Sequence, residues 1–164
     1  MAQEGTLSPE VEEEFRLAIE FLADKKKVTA ITGDCGFMFW FEDKARGYTK
    51  LPVFLSALMQ LPTISAAQSC RMDRHDQIIV LTANATSLRP MQNLINTVTG
   101  NVHYVYVGCE DVPHFGYEVE NGLAIDVVKA APGIFRKVQE AIAAQNGAVR
   151  AILCKCTFRG RSVF

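Results

Sequence analysis

Five cysteines are spread through the 164-residue chain, and the acidic start MAQEGTLSPEVEEEF has no apolar run after a basic one. An odd number of cysteines without an export signal reads as free thiols rather than a disulfide framework. Two of them follow short β-rich apolar runs. Cys35 stands in Gly33-Asp34-Cys35-Gly36 after the run 28–32, and Cys156 precedes Thr157 after the run 149–153. A third station of this kind, Thr82-Ala83-Asn84, follows the run 77–81. A thiol at a helix N-terminus has its thiolate stabilised by the helix dipole and by backbone N–H donors, which makes it a usable base or nucleophile. Cys35 is placed for that. Gly36 lets backbone approach a ligand closely, while the hydroxyls of Thr82 and Thr157 and the amide of Asn84 suit a carboxylate. Asp34 and Ala83 complete the stations as substrate neighbours. Two thiols on opposite sides of one carbon suit proton removal from one face and return to the other, a cofactor-free chemistry that needs each sulfur about 3–3.5 Å from its reacting atom.

The elements that must hold these stations follow from spacing. Ser8-Pro9-Glu10 reads as an N-cap, a first-turn proline and a dipole-favoured acid, and Val11, Phe15, Ile19 and Leu22 then recur at helical spacing. Strands are expected over 28–32, 53–55, 77–81, 102–107 and 149–153, with helices over 37–48, 57–69, 87–99 and 133–145. The stretch 108–122 reads as a loop with a short helix after it, and residues 111–115 suit a pocket cover. Strands alternating with helices imply an α/β fold with a doubly wound, mostly parallel sheet, in which ligands bind beyond the carboxyl ends of the strands. Residues 1–164 are expected to form a single unit, with room for two small lobes and a site between them. Residues 28–37 also align with 149–158 at one constant offset, matching Val, Ala, Ile, Cys and Phe, so the two thiols fall at equivalent places.

Composition narrows the function. Hydrophobic residues make up 49% and charged residues 21%, a globular balance, and 17 basic against 18 acidic residues leave a net charge of −1. Such a balance argues against nucleic-acid and acidic-membrane partners. The apolar stretch 51–64 is broken by Pro52, Gln60 and Pro62, so no membrane span is expected, and the expected compartment is the cytoplasm.

The segments ITGDCGFMFWFEDKAR, LPVFLSALMQLP, LTANATSL, GCEDVPHF and AILCKCT, in this order from residue 26 to 157, resemble the aspartate/glutamate racemase superfamily, especially its hydantoin racemase-like branch. The resemblance implies paired α/β lobes around one site, two catalytic cysteines matching Cys35 and Cys156, and no pyridoxal phosphate or metal. Thr82 and Asn84 match its carboxylate-holding position, and Thr157 the residue beside the second cysteine. The implied activity is a cofactor-independent racemase or isomerase acting at the carbon α to the carboxylate of a small acid such as aspartate, glutamate or a hydantoin-like compound. Decarboxylation of a malonate and cis–trans isomerisation of a diacid are related chemistries on this scaffold.

Two departures stand against that pattern. The chain looks shortened at both ends, which would expose strand edges and makes a homodimer the expected remedy. Lys155 stands where the family usually has an acidic residue before its second cysteine. A catalytically inactive racemase-like protein that binds a partner or small ligand is therefore the alternative reading. A metal site built from Cys154, Cys156, Cys109, His103 or His114 lacks a second cluster with zinc-ligand spacing. Residues 37–41, apolar all round, read as a buried helix start.

Overall fold

The computed structural model describes residues 5–33, 35–68, 77–100 and 102–155. Helix α1 (Pro9–Glu20) starts as its caps require, with the Ser8 hydroxyl accepting a hydrogen bond from Val11 N at 3.4 Å. It widens into a π-helical turn, Phe21–Lys25, before Lys27 reverses the chain at φ +54°. Its inner face carries Ile19 against Ile31, Ala45, Val53 and Leu55, and Phe15 meets Phe41 and Tyr48 edge to face at 6.3 Å.

Strands β1 (Ile31–Thr32) and β2 (Val53–Phe54) pair in parallel. A second parallel sheet has β3 (Gln77–Thr82) at its centre, flanked by β4 (Tyr104–Gly108) and β5 (Val149–Cys154). The architecture is mixed α/β with small parallel sheets. The single doubly wound sheet expected from the sequence is thereby corrected, since the described strands divide into two ladders of two and three. The reason lies in length. The run 28–32 yields only two strand residues: Val28 N bonds back to Leu22 O, and the pairing with β2 covers Ile31 and Thr32 alone. By contrast Ile78, Ile79 and Val80 are completely buried, as befits a parallel strand covered on both faces.

The crossovers after β1, β2 and β3 each open with a 3-10 segment rather than directly with α-helix. Gly36–Phe41 precedes α2 (Glu42–Tyr48), Ala57–Gln60 precedes α3 (Leu61–Gln68), and Thr86–Met91 precedes α4 (Gln92–Thr99). The first bond in each spans three residues: Met38 N to Cys35 O, Met59 N to Ser56 O, and Leu88 N to Ala85 O. The expected helices over 37–48, 57–69 and 87–99 are therefore composite. After β4 a tight turn leads to α5 (Gly116–Glu120), and α6 (Val127–Ala144) begins six residues before the expected start at 133. Asp126 caps it through Lys129 N, and Pro132 inside the second turn forfeits only its own N–H.

The main core joins Phe39, Leu58 and Leu61 from the first two crossovers to Ile78, Val80, Leu88, Met91, Ile95 and Leu153 around the second sheet. Ala83, Cys109, Val112, Phe115, Ile125 and Ala130 form a separate cluster under α5 and α6. Among the described residues no helix is long and apolar enough to cross a membrane.

Glu42 pins α2 to the end of β2. Its carboxylate, 4% exposed, accepts Leu55 N at 2.8 Å and the Arg46 guanidinium at 3.0 Å. Burial pushes its pKa above the ordinary 4.5, against the opposing pull of those two donors. Glu42→Ala should cost about 2–3 kcal/mol in denaturant unfolding, because Leu55 N–H loses its acceptor. Glu42→Gln should cost less, since an amide oxygen can still accept from Leu55. A raised folded pKa means that the native state takes up the proton first. Wild type should therefore gain stability relative to Glu42→Gln as pH falls from neutral toward 4.5 and gain no more below it. A difference that shrinks over that window would contradict this account.

Candidate functional site

Parallel strands release the chain at the same end, so the segments after β1, β3, β4 and β5 can converge. After β1, Gly33 N bonds Phe54 O at 3.1 Å, and Cys35 follows in extended backbone, exposed, as the cap of the first 3-10 segment. The Ser56 hydroxyl donates to Gly36 O at 3.3 Å and accepts from Leu58 N, which ties this turn to the next crossover.

Thr82 ends β3. Its carbonyl accepts Cys109 N at 2.9 Å, and its hydroxyl is buried with no hydrogen-bond partner among the described residues. Asn84 spends its side-chain oxygen on Ser87 N at 3.1 Å, so what it can offer a ligand is the amide nitrogen, a donor. After β4, Glu110 folds back over Gly108, where a Cβ would lie 1.8 Å from its carboxylate, and its backbone presses on Gly116. After β5, Lys155 continues the ladder through its N–H to Leu81 O at 2.9 Å, and its side chain is only 3% exposed. The Lys155 ammonium lies 4.1 Å from the centre of the Phe37 ring.

These residues enclose a cavity of about 510 Å³. Cys35, Phe37, Thr82, Ala83 and Asn84 form one part of its wall, and Ser87, Glu110, Glu120 and Lys155 another. A second cavity of about 570 Å³ also has Lys155 in its wall, with Thr32, Gly33, Phe54, Ser56 and Cys154.

Of the residues singled out from sequence, Cys35, Thr82, Ala83 and Asn84 share the first cavity. Gly36 lies buried against the Lys155 side chain. Asp34, Cys156 and Thr157 lie outside the described residues, and so does the second half of the repeat that pairs 28–37 with 149–158. Sequence reasoning missed Lys155, Glu110, Glu120 and Ser87 as wall residues, and it assigned Phe37 to the core alone. Phe37 does both, packing on the main core and facing the cavity. The one available signal was Lys155 itself, a basic residue where the resemblance called for an acidic one.

The remaining cysteines divide clearly. Cys109 is 1% exposed, and burial pushes its thiol up to about 11, so it is a protonated core residue. Cys154 is exposed on the second cavity. Among the described residues no group of three His, Cys, Asp or Glu side chains is arranged to hold a metal ion.

No known family profile matches the chain. It is similar, at 41% identity over 162 residues, to a dimethylsulfoniopropionate lyase of Durusdinium sp. clade D, a match covering 96% of this chain and 52% of the relative. Dimethylsulfoniopropionate lyases 6 and 3 of Emiliania huxleyi (strain CCMP1516) match at 41% and 40% identity over 165 residues, covering 96% of this chain and 41% of each. The chain thus spans about half the length, or less, of these curated relatives. Glutamate racemase from Campylobacter jejuni subsp. jejuni superposes with a TM-score of 0.42 at 14% identity, covering 91% of this chain and 65% of that one. The sequence relatives correct the reading of a racemase or isomerase of the aspartate/glutamate superfamily, because proteins about 40% identical over nearly the whole chain are named lyases.

Proposed function

We propose that this chain carries the chemistry of a lyase acting on a small carboxylate that bears a sulfonium group, with dimethylsulfoniopropionate as the first substrate to test. The observation that carries this reading is the content of one cavity: a thiol, hydrogen-bond donors and two carboxylates, from Cys35, Thr82 and Asn84, and Glu110 and Glu120. A substrate with an anionic and a cationic pole finds a counterpart for each. The names of the relatives supply the reaction type.

In the proposed reaction the Cys35 thiolate removes a proton from the carbon next to the carboxylate. The C–H electron pair becomes the second bond of a carbon–carbon double bond, and the adjacent C–S bond breaks with its pair going to sulfur. Neutral dimethyl sulfide leaves, acrylate remains, and the Cys35 thiol later returns its proton to solvent. The Thr82 hydroxyl and the Asn84 amide nitrogen hold the carboxylate, onto which charge shifts as the proton departs. Glu110 and Glu120 face the sulfonium. No second acid on the opposite face is required, which distinguishes this elimination from a two-thiol proton exchange.

The direct measurement is dimethyl sulfide released from dimethylsulfoniopropionate, read in the headspace. Cys35→Ala should lower kcat by about 100-fold or more, the scale of a lost general base. Release that persists unchanged in that variant, or no release by wild type, rules the reading out. Glu110→Gln should raise KM only about twofold to fivefold with kcat nearly unchanged, because an exposed charge pair is worth at most about 1 kcal/mol. That effect should fade as salt is added. Thr82→Val should leave the melting temperature equal or higher, since it removes a buried hydroxyl with no partner among the described residues, while weakening substrate binding. A Thr82→Val protein with lowered melting temperature and unaltered KM would show the hydroxyl to be structural instead.

A further inference from the structure

We infer that the outer face of α6 joins two copies of this chain, the helices crossing antiparallel with Ala131 at the two-fold axis. A helix on a protein surface turns its apolar stripe inward and leaves polar groups outside. Helix α6 has a complete inner stripe: Ala130 is buried, Gly133 abuts Val112, Ile134 packs on the cluster beneath, and Lys137 pairs with Asp111 at 2.7 Å. Its outer face should then be polar. Instead Val127, Val128 and Phe135 stand 59%, 84% and 63% exposed there, with Ala131 exposed between them. Large apolar side chains gathered in water on one helix face mark a surface that meets another.

The order of residues along this face identifies the occupant as a second copy. Val127 and Phe135 lie four residues before and after Ala131, and Asp126 and Arg136 lie five before and after. In an antiparallel pair with its two-fold axis at Ala131, residues equally far on either side face each other. Phe135 then meets Val127 of the second copy and Arg136 meets its Asp126, each contact occurring twice. Residues 127, 131 and 135 form one i, i+4 ridge, and alanine at the crossing lets two such ridges interlock. Asp126 and Arg136 are exposed, and Arg136 has no ion pair among the described residues. A partner of one charge sign would meet a like charge at one end of this stripe, whereas a second copy meets an opposite charge at both. A net charge of −1 puts no long-range repulsion in the way. At 1.5 Å per residue the stripe 126–136 is only about 15 Å long, so one helix crossing falls short of the roughly 800 Å² per partner of a standard interface, and a weak dimer with a Kd of about 10–100 µM is expected. None of these residues lines the first cavity, so the inference stands apart from the lyase reading.

The test is sedimentation velocity of the 164-residue chain from about 1 to about 300 µM, which brackets that Kd, in wild type, Phe135→Asp, Val128→Lys and Arg136→Glu. Wild type should pass from monomer to dimer across this range. Phe135→Asp and Val128→Lys should stay monomeric throughout, with unchanged circular dichroism and melting temperature because both side chains are exposed. Arg136→Glu should weaken the dimer about threefold to tenfold, and by less in added salt. Oxidised Ala131→Cys should form a disulfide between the two copies of residue 131, mapped by mass spectrometry. Ala143→Cys, exposed on the same helix but twelve residues past the axis, should not. If one of the two apolar-face variants is unfolded, the other decides. A wild type that is monomeric at the highest concentration, a dimer that survives either folded variant, or residue 143 cross-linking as readily as 131 overturns the inference.

Discussion

The parallel pairing of β3 on both sides is the constraint from which the rest follows. A central strand with both faces buried must satisfy every backbone group through its neighbours, and parallel neighbours run out at the same end. Thr82 O therefore takes Cys109 N, and Leu81 O takes Lys155 N, at 2.9 Å each. Those two bonds bring the start of the turn after β4 and the first residue after β5 beside the end of β3. Thr82, Glu110 and Lys155 stand together because the ladder leaves them no other place.

The thiol arrives from a different ladder. Cys35 follows β1, whose only described partner is β2, and it reaches the same cavity because the crossovers that follow share a core with the second sheet. Phe39, Leu58 and Leu61 pack with Ile78 and Val80, which fixes the first turn against the end of β3. The closest approach is made by absence of atoms. Gly36 admits the Lys155 stem and Gly108 admits the Glu110 carboxylate, so each charged side chain lies where any larger residue would exclude it.

This division explains what the sequence disclosed. Apolar runs ending in Gly, Asn, Thr or Cys marked the strand ends, because parallel strands bury nearly continuous apolar stretches and turns demand particular residues. Cys35, Thr82 and Asn84 were found that way. The split into two sheets was hidden, since the run 28–32 is as strand-like as 77–81, while in the fold Val28 N bonds back to Leu22 O and only Ile31 and Thr32 pair with β2. Helix α6 starts six residues before the expected 133 because Asp126 caps it at Val127 and Pro132 is accommodated inside it. Glu110 and Lys155 were invisible as a pair. Their roles depend on glycines distant in sequence or on a fold-back within a turn, and neither leaves a periodic trace. The racemase resemblance is overturned by relatives about 40% identical that are named lyases.

The wall of the first cavity is asymmetric in a way that matters for an elimination. On the proposed reading, the carboxylates that would meet the sulfonium, Glu110 and Glu120, are exposed, whereas the Lys155 side chain on the same wall is buried. As a C–S bond breaks, the sulfur loses its positive charge, so tight pairing to the cation would stabilise the ground state more than the transition state and slow the reaction. Exposed carboxylates, screened by water, hold the cation weakly and lose little when it vanishes. The opposite pole behaves in the opposite sense. Negative charge accumulates on the carboxylate side as the α-proton leaves, and a charge in a poorly solvated place responds strongly to that change. Weak pairing where charge disappears and strong pairing where it develops is the distribution that favours cleavage over mere binding. On the proposed lyase reading, the exposed Glu110 and Glu120 meet the first half of that requirement.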